Sequence, residues 1–260
     1  MPGRRLGQHF LVRKSILERI AAAACPGPPA PACTTVVEIG PGRGALTEHL
    51  LQRAERLIAI EVDTVLVHYL QQKFRGNPRL TIVNADVLQT DLAQWGPVTV
   101  AGNLPYYITS PILDRVLTLG TLLQRATFLV QKEVAERIAA PPGRREYGYL
   151  SVQTQIFSEP KILFEVPPGA FHPPPKVDSA VIALAPRLVP LTGDPSALLA
   201  FAGACFRHKR KTLRNNLLEL YPKEVLDTLP EGKLRAEQLS IPQFLELHRR
   251  LGSPPIIEPV

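Results

Sequence analysis

The sequence predicts an α/β protein: a largely parallel sheet with crossover helices over residues 1–186, followed by a small all-α domain over 187–260. Three observations predict it. Short β-branched runs alternate with segments of helical spacing between residues 34 and 139, the pattern of right-handed βαβ units. Two further runs, 161–166 and 178–184, read as strands with no helix between them. Beyond a joint at 185–194 that holds Pro186, Pro190 and Gly193, the remaining segments have helical spacing alone. A chain of 260 residues suits one large domain, or one and a small companion. Its 45% apolar and 20% charged content is ordinary globular usage, and no run approaches the roughly 18 apolar residues of a membrane span.

The elements follow in order. A helix over 13–24 ends at the proline-rich stretch 26–31. A strand at 34–39, a helix at 45–53, a strand at 56–60, a helix at 64–74 and a strand at 80–83 come next. They are succeeded by a strand at 98–101, a helix at 110–119, a strand at 126–130 and a helix at 132–139, which Pro141-Pro142-Gly143 terminates. Pro173-Pro174-Pro175 precedes the strand at 178–184. Proline marks these joints because it lacks an amide hydrogen and drives its predecessor toward extended geometry. In the second domain, helical spacing covers 196–206, 209–221 and 242–251.

Cys25, Cys33 and Cys205 form no CxxC pair and no cluster with histidine, so neither a disulfide framework nor a zinc site is expected, and a reducing cytoplasm is. The short apolar run at 20–25 reads as the end of a helix, since six residues are too few for a secretion signal. The net charge of +7 points to a polyanionic partner, nucleic acid ahead of an acidic membrane. Positive charge gathers at Arg4, Arg5, Arg13, Lys14 and Arg19, and again at Arg207, Lys209, Arg210, Lys211 and Arg214. The span 190–260 as a whole carries ten Lys and Arg against eight Asp and Glu, so a merely solvated basic face also fits the second cluster.

Glu38-Ile39-Gly40-Pro41-Gly42-Arg43-Gly44-Ala45 joins a strand to a helix. Glycines there let the backbone approach a ligand, and Gly40, Gly42 and Ala45 satisfy a dinucleotide pattern, with Glu61 at the distance of a ribose contact. Two acids favour a different ligand. Glu38 lies two residues before Gly40, and Asp86 lies at the end of the third strand, where it can accept a hydrogen bond from an adenine amino group. Acids with few phosphate-binding positives suit S-adenosylmethionine, which has no phosphate and carries a sulfonium charge.

The fourth strand runs into Gly102-Asn103-Leu104-Pro105-Tyr106-Tyr107. The N6 of adenine is a poor nucleophile because its lone pair is delocalised into the ring. The Asn103 side-chain oxygen and the Leu104 carbonyl can accept its two hydrogens and leave the lone pair aimed in the third direction. Pro105 stiffens the turn, and Tyr106 can stack on a flipped base. Such a transfer rests on positioning, with no metal and no strong base. A proline turn with two half-buried tyrosines is the bland alternative.

These residues resemble a known family: the bacterial 16S rRNA adenine N6,N6-dimethyltransferases of the KsgA/RsmA type. Gly7-Gln8-His9-Phe10-Leu11 is similar to its GQNFL element, 38–44 to its EIGPGxG loop and 103–106 to its NLPY. Residues 171–181 are similar to its F-x-PPPKVDSAV segment, and 210–215 to its RRKTxRN stretch. The resemblance implies a class I, Rossmann-like S-adenosylmethionine-dependent methyltransferase domain followed by a small helical RNA-binding domain. It implies two methyl groups on each of two adjacent adenosines, in the 3′-terminal hairpin loop of 16S rRNA within a pre-30S particle. A role in subunit assembly, S-adenosylhomocysteine as product, no metal and a monomeric state go with it. It assigns the cofactor to His9, Leu11, Gly40, Glu61, Asp86 and Asn103, and makes Phe171 the second aromatic wall for the base, opposite Tyr106. Position 9 departs from the family, which usually has Asn there; the contact is expected to survive as a hydrogen bond with added pH dependence. The rival readings are a 23S rRNA adenine methyltransferase, a non-catalytic assembly factor and a nicotinamide dehydrogenase.

Overall fold

The computed structural model describes residues 9–27, 34–187 and 194–252. Most of the proline-rich stretch 26–31, much of the joint 185–194, Cys33, and Arg4, Arg5, Gly7 and Gln8 lie outside those residues. The elements are β1 (Phe10–Leu11), α1 (Lys14–Ala24), β2 (Thr35–Ile39), α2 (Ala45–Leu50), β3 (Arg56–Glu61), α3 (Thr64–Lys73) and β4 (Leu80–Asn84). They continue with β5 (Val98–Asn103), α4 (Thr109–Leu117), β6 (Leu123–Gln131), α5 (Lys132–Ala139), α6 (Tyr149–Phe157), β7 (Ser158–Val166), β8 (Phe171–His172) and β9 (Ser179–Pro186). The last are α7 (Pro195–Phe206), α8 (Leu213–Leu217), α9 (Lys223–Asp227) and α10 (Ile241–Leu251).

Seven strands form one sheet in the order β4-β3-β2-β5-β6-β9-β7. The pairs β3–β4, β2–β3, β2–β5 and β5–β6 are parallel, and β9 joins β6 antiparallel. The predicted α/β sheet is therefore present, and its strand order reverses between β2 and β5. At such a switch point the two crossovers leave on opposite faces and open a crevice at the strands' carboxyl ends. The central strands are apolar on both faces because helices cover both: Val36, Val37, Leu57, Ile58, Val98 and Val100 are fully buried. Leu17, Ile20, Ala21 and Ala24 of α1 pack with Leu46 and Leu50 of α2 in the core cluster of this layer.

Contacts divide the chain into two compact units: Met1–Ala135 with Glu159–Pro186, and Glu136–Ser158 with Arg187–Val260. The single cut expected at 186/187 therefore misses an excursion, because 136–158 packs with the later helices. Val152 and Ile156 of α6 share a buried cluster with Phe201 of α7, Leu213 and Leu217 of α8 and Phe244 of α10.

The predicted helix over 209–221 is shorter than expected. Residues 207–212 form a loop, and α8 begins only at Leu213, where the Thr212 hydroxyl accepts from the Asn215 amide. The buried Asn216 side chain holds the loop, donating to the Cys205 and His208 carbonyls at 2.8 and 3.2 Å and accepting from the His208 amide at 3.1 Å. It supplies to the loop the bonds that a continuous helix would have made.

Candidate active site

The carboxyl ends of β2, β3, β4 and β5 lie side by side, with Ile39 in register with Gly102 and with Ile60, and Glu61 with Asn84. The glycine loop leaves β2 here. Gly40, Gly42 and Gly44 have φ of 64°, 58° and 75°, a left-handed backbone that other residues adopt only at a cost. The Gly40 amide donates to the Ile60 carbonyl at 3.0 Å. A Cβ on Gly42 would come within 3.1 Å of the Phe10 ring, so β1 crosses directly above the loop. The Arg43 guanidinium sits 5.0 Å from the centre of that ring.

Glu61, buried at the end of β3, is held by two backbone donors: the Gly42 amide at 3.1 Å and the Asp63 amide at 3.0 Å. Each carboxylate oxygen keeps a lone pair for a further donor. Asp86 is half-buried and accepts from the Leu88 amide at 2.9 Å through Oδ1. Along the rim predicted from Gly40, Glu61 and Asp86, the two carboxylates are thus oriented acceptors, the kind of group that ribose hydroxyls and an adenine amino group need. Among the described residues of this rim, Arg43 faces Phe10, and Glu61 fills the Gly42 amide that a pyrophosphate would use.

Glu38 plays a different part from the one expected. It is buried, and its carboxylate accepts from the Thr47 hydroxyl at 2.6 Å. Burial pushes its pKa up to about 8, with the Thr47 bond opposing and the nearby Glu61 charge adding to the rise. Glu38 instead ties β2 to α2 beneath the loop.

The turn after β5 gathers the remaining groups. Gly102 has no room for a side chain, since a Cβ would lie 2.5 Å from the Ile39 carbonyl oxygen. The Asn103 amide nitrogen donates to the His9 carbonyl at 3.1 Å, which leaves Oδ1 as the outward acceptor. The Leu104 amide donates to the Leu129 carbonyl at 3.0 Å and its side chain is buried, while the Pro105 carbonyl accepts from the Thr109 hydroxyl at 3.3 Å. Tyr106 is half-buried, and its hydroxyl pairs with that of Ser179 at 2.8 Å. Burial raises the Tyr106 pKa above the phenol value, against the Ser179 bond, so it remains neutral. Tyr107 is 64% exposed.

A two-stranded ribbon closes this region. β1 pairs antiparallel with β8, Phe10 opposite His172 and Leu11 opposite Phe171, and the Val12 amide donates to the Ala170 carbonyl. The ribbon's alternation puts Leu11 and Phe171 into the core cluster with Ile16 and Ile20. Leu11 can therefore meet a cofactor only through its backbone. Phe171 is 4% exposed. The ring that faces Tyr106 is His9, with centroids 6.2 Å apart and planes inclined by 25°. His9 Nδ1 also lies 2.8 Å from the Pro173 carbonyl oxygen. His9, Asn103 and Tyr106 are thus brought together. The sequence reading missed the anchors Pro173 and Ser179, although both stand in the 171–181 motif.

The basic set belongs to the second unit. Arg207 pairs with Glu219 and Arg214 with Asp227, so two of the five predicted RNA contacts already have acidic partners. Lys209 donates to the Arg145 carbonyl at 2.9 Å, while Arg210 and Lys211 are exposed.

Comparison with known proteins bears on the family and the fold. A model of ribosomal RNA adenine dimethylases matches residues 3–252. The ribosomal RNA small subunit methyltransferase A of Synechococcus elongatus is 42% identical, with 98% of this chain and 97% of that protein covered. The protein of the same description from Legionella pneumophila strain Corby is also 42% identical, covering 97% and 98%. Among solved structures, a dimethyladenosine transferase from Plasmodium falciparum superposes with a TM-score of 0.80 at 26% identity, over 95% of this chain and 99% of that one. The 23S rRNA methyltransferase ErmE gives 0.73 at 30% identity, over 93% and 99%. The fold is that of class I methyltransferases. On a match that spans nearly its whole length, the chain belongs to the ribosomal RNA adenine dimethylase family.

Proposed function

We propose that this protein transfers methyl groups from S-adenosylmethionine to the N6 atoms of two adjacent adenosines in the 3′-terminal hairpin loop of 16S rRNA. Its substrate is a pre-30S particle, and the modification accompanies small-subunit assembly. The observation that carries the reading is the orientation of Asn103. Its amide nitrogen is spent on the His9 carbonyl, and its oxygen is left to accept at the end of β5, beside Gly40 across the switch point. Relatives named for the small subunit, at 42% identity, favour 16S over 23S rRNA more than the likeness to the 23S enzyme does at 30%.

The cofactor, when bound, supplies a methyl carbon attached to a sulfonium sulfur. The chain does the positioning. Glu61 and Asp86 accept from the ribose hydroxyls and the adenine amino group, and Gly40 and Gly42 keep the loop free of side chains where the ligand lies. Asn103 Oδ1 and the Leu104 carbonyl accept the two N6 hydrogens of the target adenine and turn its lone pair toward the methyl carbon. Pro105 fixes the turn, and Tyr106, held by Ser179, stacks on the base for about 1–3 kcal/mol. With the cofactor bound, the N6–C bond would form as the C–S bond broke, S-adenosylhomocysteine would leave, and the surplus N6 proton would pass to solvent. Holding the reactants in line supplies most of the acceleration. Lys209, Arg210 and Lys211 contact phosphate.

The test is methyl transfer from radiolabelled S-adenosylmethionine to 30S particles lacking the modification, with 50S particles and Asn103→Ala as controls. Dimethyladenosine in 30S rRNA, falling by about two orders of magnitude or more in the variant, is the expected result. Label confined to 50S would move the protein to the 23S group. Cofactor binding without label in either particle would leave a non-catalytic assembly role.

A further inference from the structure

Helix α3 reaches the glycine-loop rim from both of its ends. At its N-cap, the Asp63 amide donates to Glu61 Oε1 at 3.0 Å. At its last residue, Lys73 Nζ donates to the Arg43 carbonyl at 3.0 Å and pairs with Glu48 Oε1 on α2 at 2.7 Å. Arg43 is a central residue of the turn that the Gly44 amide closes onto the Pro41 carbonyl at 2.8 Å. The other central residue is Gly42, whose amide donates to Glu61 Oε2 at 3.1 Å. The ammonium thus grips the turn one residue away from the amide that orients the carboxylate. The same end of the helix packs against the turn. A Cβ on Gly44 would stand 2.7 Å from the Phe74 ring and 2.8 Å from Leu70. Lys73 Nζ lies 5.3 Å from the centre of the Phe74 ring, and a cation at a helix C-terminus is favoured by the dipole as well. Both oxygens of Glu61 are therefore set from one helix, Oε1 directly and Oε2 through the turn.

We propose that Lys73 is a positioning residue for S-adenosylmethionine: without touching the cofactor, it holds the glycine turn so that the Gly42 amide aims Glu61 at the ribose hydroxyls. This rests on the reading of Glu61 as a ribose acceptor given above. Lys73 lies outside every motif that the sequence singles out.

Three variants separate the bond to the turn from the other contacts of Lys73. Lys73→Met keeps the apolar stem against Phe74 and removes the ammonium. Lys73→Arg keeps a cation that can donate to the Arg43 carbonyl. Glu48→Gln removes the charge of the α2 partner and leaves the bond to the turn. Calorimetric affinities for S-adenosylhomocysteine and for its 2′,3′-dideoxyribose analogue are measured for each, with KM and kcat for methyl transfer to unmodified 30S particles. Lys73→Met is expected to weaken S-adenosylhomocysteine binding about 3- to 10-fold, the net worth of one hydrogen bond. The KM for S-adenosylmethionine should rise with it while kcat stays within about twofold. The analogue, which has no hydroxyls for Glu61, should lose less than about 1.5-fold. Lys73→Arg should recover most of the affinity, and Glu48→Gln should stay within about twofold of wild type. The proposal is overturned if Lys73→Met spares S-adenosylhomocysteine binding, if it weakens both ligands alike as a general loosening would, if arginine fails to rescue, or if Glu48→Gln alone reproduces the loss. Wild-type protein that binds the two ligands equally would overturn the ribose reading of Glu61 and this inference together, an outcome distinct from the other four.

Discussion

Gly102 shows how narrowly single residues are set at this site. It sits where β5 passes β2, and a methyl group there would stand 2.5 Å from the Ile39 carbonyl oxygen, a backbone atom that cannot swing away. Gly102→Ala should force the two strands apart at the crevice. A loss of about 1–3 kcal/mol of stability in denaturant titration is expected, together with a fall in activity larger than that of a remote variant of equal stability. Glu38 sets a pH dependence. Its folded-state pKa of about 8 lies far above the unfolded carboxylate value, so the folded state holds a proton that the unfolded chain releases. Its contribution is complete below the unfolded pKa and is lost as pH rises through 8. Glu38→Gln keeps an acceptor for Thr47 and has nothing to titrate. The decline in unfolding free energy between pH 5 and 8 should therefore be shallower in the variant, by on the order of 3 kcal/mol. The presence of Glu38 at the loop was legible from the sequence. Its protonation was not, because that depends on burial beneath α2.

Whether an element could be foreseen depended on whether its sequence carries a distinguishing composition or period. The strands of the central sheet and helix α5 were legible, since β-branched runs and a sharp polar–apolar period mark them. Helix α6 was not, because Leu150, Ser151, Val152, Gln153 and Thr154 are all buried and no exposed face gives it a period. Strands β1 and β8 are two residues each, too short for an alternating pattern. The helix expected over 209–221 failed for another reason: Asn216 satisfies the loop before it and makes a break as well bonded as a helix. Asn216→Ala should strand the Cys205 and His208 carbonyls and cost about 1–3 kcal/mol in denaturant titration. Increased proteolysis within 207–212 should accompany it. The candidate site divides in the same way. The motif residues His9, Asn103 and Tyr106 could be named in advance. That His9 faces Tyr106 while Phe171 turns inward follows from the register of the ribbon, which sequence spacing does not encode.

At the scale of the whole molecule, charge is spread less simply than the count suggests. Arg207 and Arg214 are engaged by Glu219 and Asp227, whereas Arg210 and Lys211 are exposed beside Lys209. Removing Lys209, Arg210 and Lys211 together should weaken binding to 30S particles. It should also flatten the dependence of log K on log salt by about 2–3, roughly 0.7–0.9 per phosphate contact. Replacing Arg207 and Arg214 should lower thermal stability slightly and leave that slope nearly unchanged. The ribbon of β1 and β8 pairs Phe10 with His172 and Leu11 with Phe171, residues far apart in the chain, as are the bonded His9 and Pro173. A chain emerging from the ribosome has its glycine loop and its Asn103 turn by about half-length, yet the strand that closes over them comes only with the residues near 171–179. Catalytic competence is therefore gained late in synthesis, and a truncated chain carries the recognisable motifs without the enclosure that makes them work.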